Sequence, residues 1–473
     1  MSSSIGSILS NAASGLRAAQ AGISVISDNV ANAGVAGYTT KTQEVSAFLV
    51  GNGTDGVRTG LVSRSVDSAL QSSAWSQDSR VAALTVRSQV LKSVNAAQGT
   101  PGDGTSLADA VTALQNGFTK LQADPSSQMQ QSSVVSAANT LATAINTAAQ
   151  TVTAQRNSVQ AQIVGSVSIL NTALTTVRDT THGVMAAKVA GQDTSTLEDQ
   201  RDQALQTISG LLDVSYDVHA NGDLGIIGKN GFSIPLDSTF STTTAPLSPG
   251  SSVATSTVPP ILMQSGNQAV PPVDVTSHLS GGSLGEQVSL RDTVLPSYTT
   301  GLDSFAAKVA NQFTSQGLQL FTDGMGANSL SAYPGLSATI GVNPVVVANP
   351  ASVRDGTPGT PIPVNPANGP AGYTGLIDRV LSGSFAAGGS VTSLSSDAAA
   401  FVAKQSQDTS QTSADLTNAT AYQSTLSSRL SAQSGVNVDQ EMGLMIQLQN
   451  SYQANARVLQ AAQTMFTALL NAV

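Results

Sequence analysis

Apolar residues recur at alternating steps of four and three at the start of the chain: Ile5, Leu9, Ala12, Leu16, Ala19, Ile23, Ile26 and Val30. That spacing lays one narrow seam along a helix of roughly 28 residues. Asn32-Ala33-Gly34 and Gly37-Tyr38 close it. At the other end Val438, Met445, Tyr452, Leu459, Phe466 and Val473 recur every seven residues, with Leu448, Ala462 and Leu469 between them. Glu441 and Asn455 are polar exceptions in that seam. Asn437 followed by Gln440 marks a helix N-cap, and Gly435 ends the helix before it. A narrow apolar stripe needs cover, so the two end helices are expected to pair and to be poorly ordered without neighbours. The alternative is that each packs into a separate globular core.

Between the ends the pattern changes several times. Helical spacing dominates from 68 to 97 and from 106 to 212. Val134, Leu141, Ile145, Val152, Val159, Ile163, Val167, Leu170, Leu174 and Val177 form one long stripe there. Val45, Ala47 and Leu49 alternate, as do Val57, Thr59 and Leu61, around a turn-rich Gly51–Gly56; that predicts a hairpin. Strand and turn signals fill 213–283, a helix returns over 285–316, and 322–394 reads as short strands and loops. Of the 18 prolines, all but Pro101 and Pro125 lie between Pro235 and Pro370, so two proline-poor helical arms flank a proline-rich middle. The expected fold is mainly α with β insertions. Residues 1–60 and 431–473 make a terminal coiled-coil domain. Residues 61–212, 284–324 and 395–430 make a rod-like helical domain. Residues 213–283 make an outer β-rich domain, and 325–394 an irregular, short-strand insertion packed on the rod.

Composition narrows the function classes. Of 473 residues, 20 are basic and 29 acidic, a charged fraction of 10% against about 25% in ordinary soluble proteins. Net charge is −9 and no basic cluster occurs, which argues against a nucleic-acid partner. No run of about 20 apolar residues exists for a membrane span, and the N-terminus has no secretory-signal pattern. Cysteine is absent, which removes disulfides, thiolate nucleophiles and Cys-metal sites. His182, His219 and His278 are too far apart in sequence to suggest a metal site, and no cofactor is expected.

Three segments imitate catalytic motifs. Gly51-x-Gly53-x-x-Gly56 resembles a dinucleotide fingerprint, but alternation continues after it where a helix should begin. Gly281-x-Ser283-x-Gly285 fits a nucleophile elbow, yet Thr276–Ser280 is too polar for a buried strand. It reads better as a glycine-rich lead into a helix near Glu286. Leu197-Glu198-Asp199-Gln200-Arg201-Asp202 offers carboxylates for acid–base work; a surface ion pair between Glu198 and Arg201, three residues apart, is the expected alternative.

Asn29-Val30-Ala31-Asn32 followed by Gly37-Tyr38 resembles the N-terminal signature of the bacterial flagellar axial proteins, the rod, hook and hook-associated proteins, departing from it at Ala33-Gly34-Val35. Ser434–Met442, with Gln449-x-x-Tyr452-Gln453-Ala454-Asn455-Ala456-Arg457-Val458, resembles that family's C-terminal signature. Two internal blocks resemble its hook-associated branch: the segment ending Gln200-Arg201-Asp202, and Gly281-Gly282-Ser283-Leu284 leading to Arg291-Asp292 and Leu295-Pro296. The resemblance implies a non-enzymatic structural part of the motility apparatus, a ring of copies at the distal end of the hook joining it to the filament. It implies unfolded export through the flagellar type III channel and a location outside the cell. The implied partners are other copies, hook protein, a second junction protein towards the filament, and an export chaperone on the C-terminal helix. The residues expected to carry assembly are Ile5, Leu9, Leu16, Ile23, Ile26 and Val30 with Met445, Leu448, Tyr452, Leu459, Phe466 and Leu469. Another axial protein (hook or distal rod), a secreted coiled-coil adhesin and a hydrolase are the alternatives.

Overall fold

The structure is a computed structural model that describes residues 2–50, 53–99, 102–248, 250–251, 257–267, 269–323, 333–360, 362, 364–366, 369–386 and 393–470. Helix α1 (Ser2–Asn32) leads into an antiparallel hairpin, β1 (Lys41–Val50) and β2 (Gly53–Arg64). Helices α2 (Ser68–Ala97), α3 (Leu107–Ala123), α4 (Gln128–Val189) and α5 (Ser195–Leu211) follow. Strands β3 (Val214–Val218), β4 (Leu224–Gly228) and β5 (Ser233–Ile234) form one antiparallel sheet in sequence order. Strands β6 (Thr239–Ser241), β7 (Leu262–Gln264) and β8 (Val273–Asp274) form another. Helix α6 (Gly282–Ser289) passes through a π turn (Leu290–Val294) into α7 (Leu295–Ser315). Strand β9 (Phe321–Thr322) and helix α8 (Leu336–Thr339) precede β10 (Gly341–Val342), which pairs with β9. Helices α9 (Pro344–Ala348), α10 (Ser352–Asp355), α11 (Gly375–Val380), α12 (Leu394–Ser434) and α13 (Val438–Leu470) complete the order.

Helix α4, 62 residues and so about 90 Å long, is the axis of the body. All ten stripe residues from Val134 to Val177 are buried, against α3, α5, α6 and α7. A cluster of Phe118, Phe313, Phe321 and Phe385 closes one region of the core, with ring centroids 5.7–6.3 Å apart. Polar residues of α4 hold the outer chain. Asn171 donates to the Phe240 carbonyl (2.8 Å) and accepts from its amide (2.7 Å), and Asn157 does the same with Leu247 (3.1 and 2.7 Å). Each amide side chain thus satisfies both backbone polar groups of one residue of the outer chain.

Two segments differ from expectation. The helix over 285–316 starts earlier, at Gly282, and continues through Pro296. The π turn makes this possible, because the Leu295 N–H already reaches back five residues to Leu290 O before the proline removes a donor. Across 325–394, where short strands and loops were expected, the regular elements among the described residues are mainly short helices, with the one strand β10. Asn343 caps Val345 N–H with Pro344 in the first turn, and this N-cap geometry winds a valine run that would otherwise read as strand.

Candidate assembly surface and the polar node beneath it

Helices α1 and α13 lie antiparallel against each other. A methyl group placed on Gly22 would come within 2.7 Å of Leu448 Cδ1, and one on Gly15 within 2.9 Å of Asn455 Nδ2. Asn29 Nδ2 donates to Glu441 Oε2 at 3.2 Å. Gly15, Gly22 and Asn29 therefore form one column at seven-residue intervals, facing Asn455, Leu448 and Glu441. Ala12, Ala19, Ile26 and Ala462 are buried beside it. Small side chains let the backbones approach where leucines would hold them apart.

The expected seam lies around this column. Ile26 is buried, and Leu9, Leu16, Ile23 and Val30 are half-buried. Met445, Leu448 and Leu459 are half-buried, whereas Tyr452 and Phe466 are 40% and 50% exposed. The side chains of Ile5 and Leu469, and Val473 as a whole, lie outside the described residues. Hydrophobic spacing pointed to a seam of two columns, Ile5–Ala12–Ala19–Ile26 and Leu9–Leu16–Ile23–Val30. Ala12, Ala19 and Ile26 are buried at the contact, while the closest approach uses the adjoining column Gly15–Gly22–Asn29. Glycine has no side chain to register in an apolar pattern. Its own seven-residue recurrence was the available signal. A second row on α13, Leu444, Val458 and Met465, is also exposed, so this helix presents more apolar surface than α1 alone covers.

A polar node joins the pair to the body. Asn29 is fully buried. Besides donating to Glu441 it donates to Lys41 O (2.8 Å) and accepts from Lys41 N–H and Tyr38 O–H (3.0 Å each). These four bonds exhaust the side chain's capacity. Burial, then the charges of Asp28, Asp199 and Glu441, push the Tyr38 phenol up to about 12. Lys41 Nζ sits 4.8 Å from the Tyr38 ring centroid and 3.5 Å from Asp199. Arg64, at the end of β2, reaches Glu198 (3.0 Å), Asp199 (2.9 Å) and Asp202 (2.9 Å) on α5. Burial opposes its charge, but those carboxylates outweigh it and hold Arg64 above its ordinary value.

The acidic segment thus clasps the hairpin instead of forming the expected pair with Arg201. Arg201 is buried and donates to Gly222 O at 3.1 Å, while Glu198 bonds to Arg64. Local spacing suggested the Glu198–Arg201 pair, but a cation 134 residues away takes the carboxylate. Gln200 is exposed, and Asn32 donates to Asp28 O. Gly37 has φ +77° in the turn before Tyr38.

Gly281 and Gly282 have φ of +67° and +59°, and a methyl group on Gly282 would sit 2.2 Å from the Leu211 carbonyl carbon. These glycines let α6 start directly against the end of α5, with Leu284 buried. Ser283 Oγ donates to Gly210 O at 3.1 Å, so its hydroxyl serves this helix contact. Arg291, 1% exposed, grips Asp292 with two bonds of 2.7 Å and donates to Gln160 Oε1 and Pro259 O. Gly53 and Gly56 lie in strand β2, which continues as a strand where a cofactor-binding turn would become a helix; Gly51 lies outside the described residues.

Residues 91–328 match the family model of the flagellar hook-associated protein FlgK helical domain. Residues 9–39 match the flagella basal body rod protein model, and 428–472 the C-terminal model of the flagellar basal body rod FlgEFG proteins. Flagellar hook-associated protein 1 of Escherichia coli (strain K12) is 26% identical over 323 residues, covering 66% of this chain and 57% of the relative. The Salmonella typhimurium (strain LT2) protein of the same name is 26% identical over 327 residues, covering 66% and 56%. The chain thus spans little more than half the length of these curated relatives. The structure of the flagellar hook junction protein FlgK from Burkholderia pseudomallei is 22% identical, covers 54% of this chain and 45% of that one, and superposes with a TM-score of 0.45.

Proposed function

The chain belongs to the family of the flagellar hook-associated protein FlgK, and from that membership we propose that it is a structural adaptor joining hook to filament. It assembles as a ring of copies at the distal end of the hook. Its α1–α13 pair packs against the pairs of neighbouring copies, against hook protein on one side and against a second junction protein on the other. It performs no chemistry. It is exported unfolded, with a chaperone on α13, and works outside the cell; among the described residues no helix is long and apolar enough to cross a membrane.

The observation that supports this reading is the pair itself. The ends of the chain meet in one antiparallel element, yet Tyr452, Phe466, Leu444 and Met465 remain exposed on it. Burying a side chain of that size contributes about 1.5–3 kcal/mol, so a few such residues per contact favour association strongly. The matched rod-protein models fall on the same two helices, residues 9–39 and 428–472.

The test is a strain lacking the chain. It is expected to keep intact hooks and to shed filament subunits into the medium. In the complementing protein, Leu16→Asp or Leu459→Asp should leave the body folded, read from the Trp75–Tyr216 contact (5.2 Å) by near-UV spectroscopy, and should abolish filament attachment. Normal attachment in either variant refutes the reading. Finding the chain along the whole hook, rather than at its tip, would assign it to another axial role.

A further inference from the structure

Sliding α13 along α1 by one heptad, about 10 Å, would preserve much of the apolar fit. Leu448 would move from Gly22 to Gly15, and both positions are glycine. Apolar residues repeat with the same seven-residue period on both helices, Leu9, Leu16, Ile23 and Val30 on α1 and Met445, Tyr452, Leu459 and Phe466 on α13. Packing shape therefore distinguishes the two alignments poorly. The polar residues behave differently. In the observed alignment Glu441, almost fully buried, takes its hydrogen bond from Asn29. After the slide Glu441 would lie over Gly22, which has no side chain to replace the Asn29 amide, and would lose its hydrogen-bond partner. Asn29 cannot follow it, because its other three bonds hold it to Lys41 and Tyr38.

We infer that Asn29 and Glu441 are the register key within the α1–α13 seam, positioning residues that, together with the bonds from Thr40 to Ser434 O and Gly435 O just before α13, select one alignment from two that apolar packing would accept. A buried polar pair in a helical seam selects register in this way because misalignment leaves it unpaired. Since Asn29 is bonded to the start of β1, the alignment is set relative to the hairpin and, through Asp199 and Arg64, to the body. Register decides where Tyr452 and Phe466 stand on the outside of the pair; that consequence for neighbouring copies rests on the assembly reading above.

The chain has no cysteine of its own, so engineered disulfides in the full-length protein report alignment directly. Gly15→Cys with Asn455→Cys marks the observed register. Ile8→Cys with Asn455→Cys, one heptad out and beyond disulfide reach, marks the slipped one. With Glu441 intact only the first pair should close. Adding Glu441→Leu should raise closure of the slipped pair about tenfold or more relative to the first. Glu441→Gln, which can still accept from Asn29, should restore the original ratio. Unchanged closure of the first pair in Glu441→Leu overturns the inference. So does loss of both disulfides, which would mean that the helices part instead of sliding. A shifted register together with normal filament attachment would leave the key standing and refute the assembly reading.

Discussion

Replacing Arg64 with Met removes the one guanidinium that bridges β2 to three carboxylates on α5. Its bonds to Glu198, Asp199 and Asp202 are 2.9–3.0 Å long, and its side chain is only 11% exposed. Hydrogen bonds to charged groups contribute about 1.5–3 kcal/mol each, but they share one cation and do not add. Removing one partner of a buried ion pair costs about 3–5 kcal/mol. The lower part of that range applies here, because Lys41 stays within 3.5 Å of Asp199 and Thr39 Oγ1 still donates to Asp199 at 2.6 Å. The expected loss is about 3 kcal/mol, confined to docking of the hairpin and the α1–α13 pair on the body. At 1.4 kcal/mol per factor of ten, that raises the undocked population about a hundredfold. Hydrogen exchange read by mass spectrometry should show amides of β1 and β2 exchanging faster by about that factor, with α4 unchanged. Arg64→Lys, keeping a charge but not the fork, should fall between. Exchange in the hairpin equal to that of the parent would refute the idea that this cluster docks it. Uniformly faster exchange through α4 would refute the idea that the effect is local.

Gly282→Ala should destabilise the body by about 2–5 kcal/mol, since the added methyl meets the Leu211 backbone and φ is +59°; the denaturant midpoint of the helical body measures it. Phe313→Ala should cost about 3–5 kcal/mol by emptying the centre of the aromatic cluster, read in the same way, without changing the closure of the Gly15/Asn455 disulfide. Tyr38 keeps its proton up to about pH 12, against an ordinary 10. The folded state therefore holds one more proton than the unfolded between those values. Stability associated with Tyr38 is full below pH 10 and falls as pH rises towards 12. Tyr38→Phe should lose the bond to Asn29 at neutral pH, about 1 kcal/mol, and should show a shallower alkaline decline in thermal stability than the parent.

The helices were legible where apolar period was long and uninterrupted. The α4 stripe could be read residue by residue, and so could the Asn437 cap, whose side chain accepts from Gln440 N–H. The hairpin was legible from alternation around its glycines. The short helices α8 to α11 were not, because their few turns are set by caps such as Asn343 and by contacts such as Asp303 with the Ser337 amide. The glycine lead into α6 was legible as a helix start, but its cause, the Leu211 backbone pressed against Gly282, is a contact between residues 71 positions apart.

Periodicity is a local property. A stripe at steps of three and four commits its segment to an amphipathic helix whatever surrounds it, and so the chain alone specified two end helices, a long central axis and a proline-rich, strand-bearing middle. Which face of an end helix meets its partner depends on how closely two backbones can approach. The apolar pattern marked the side that holds Ala12, Ala19 and Ile26, but the line of closest approach fell to Gly15 and Gly22, which leave no mark in such a pattern. The pairing of charges likewise depends on distance in space. Glu198 had a cation three residues away and took one 134 residues away, because folding alone brings Arg64 to the surface of α5 and commits the buried Arg201 to the Gly222 carbonyl.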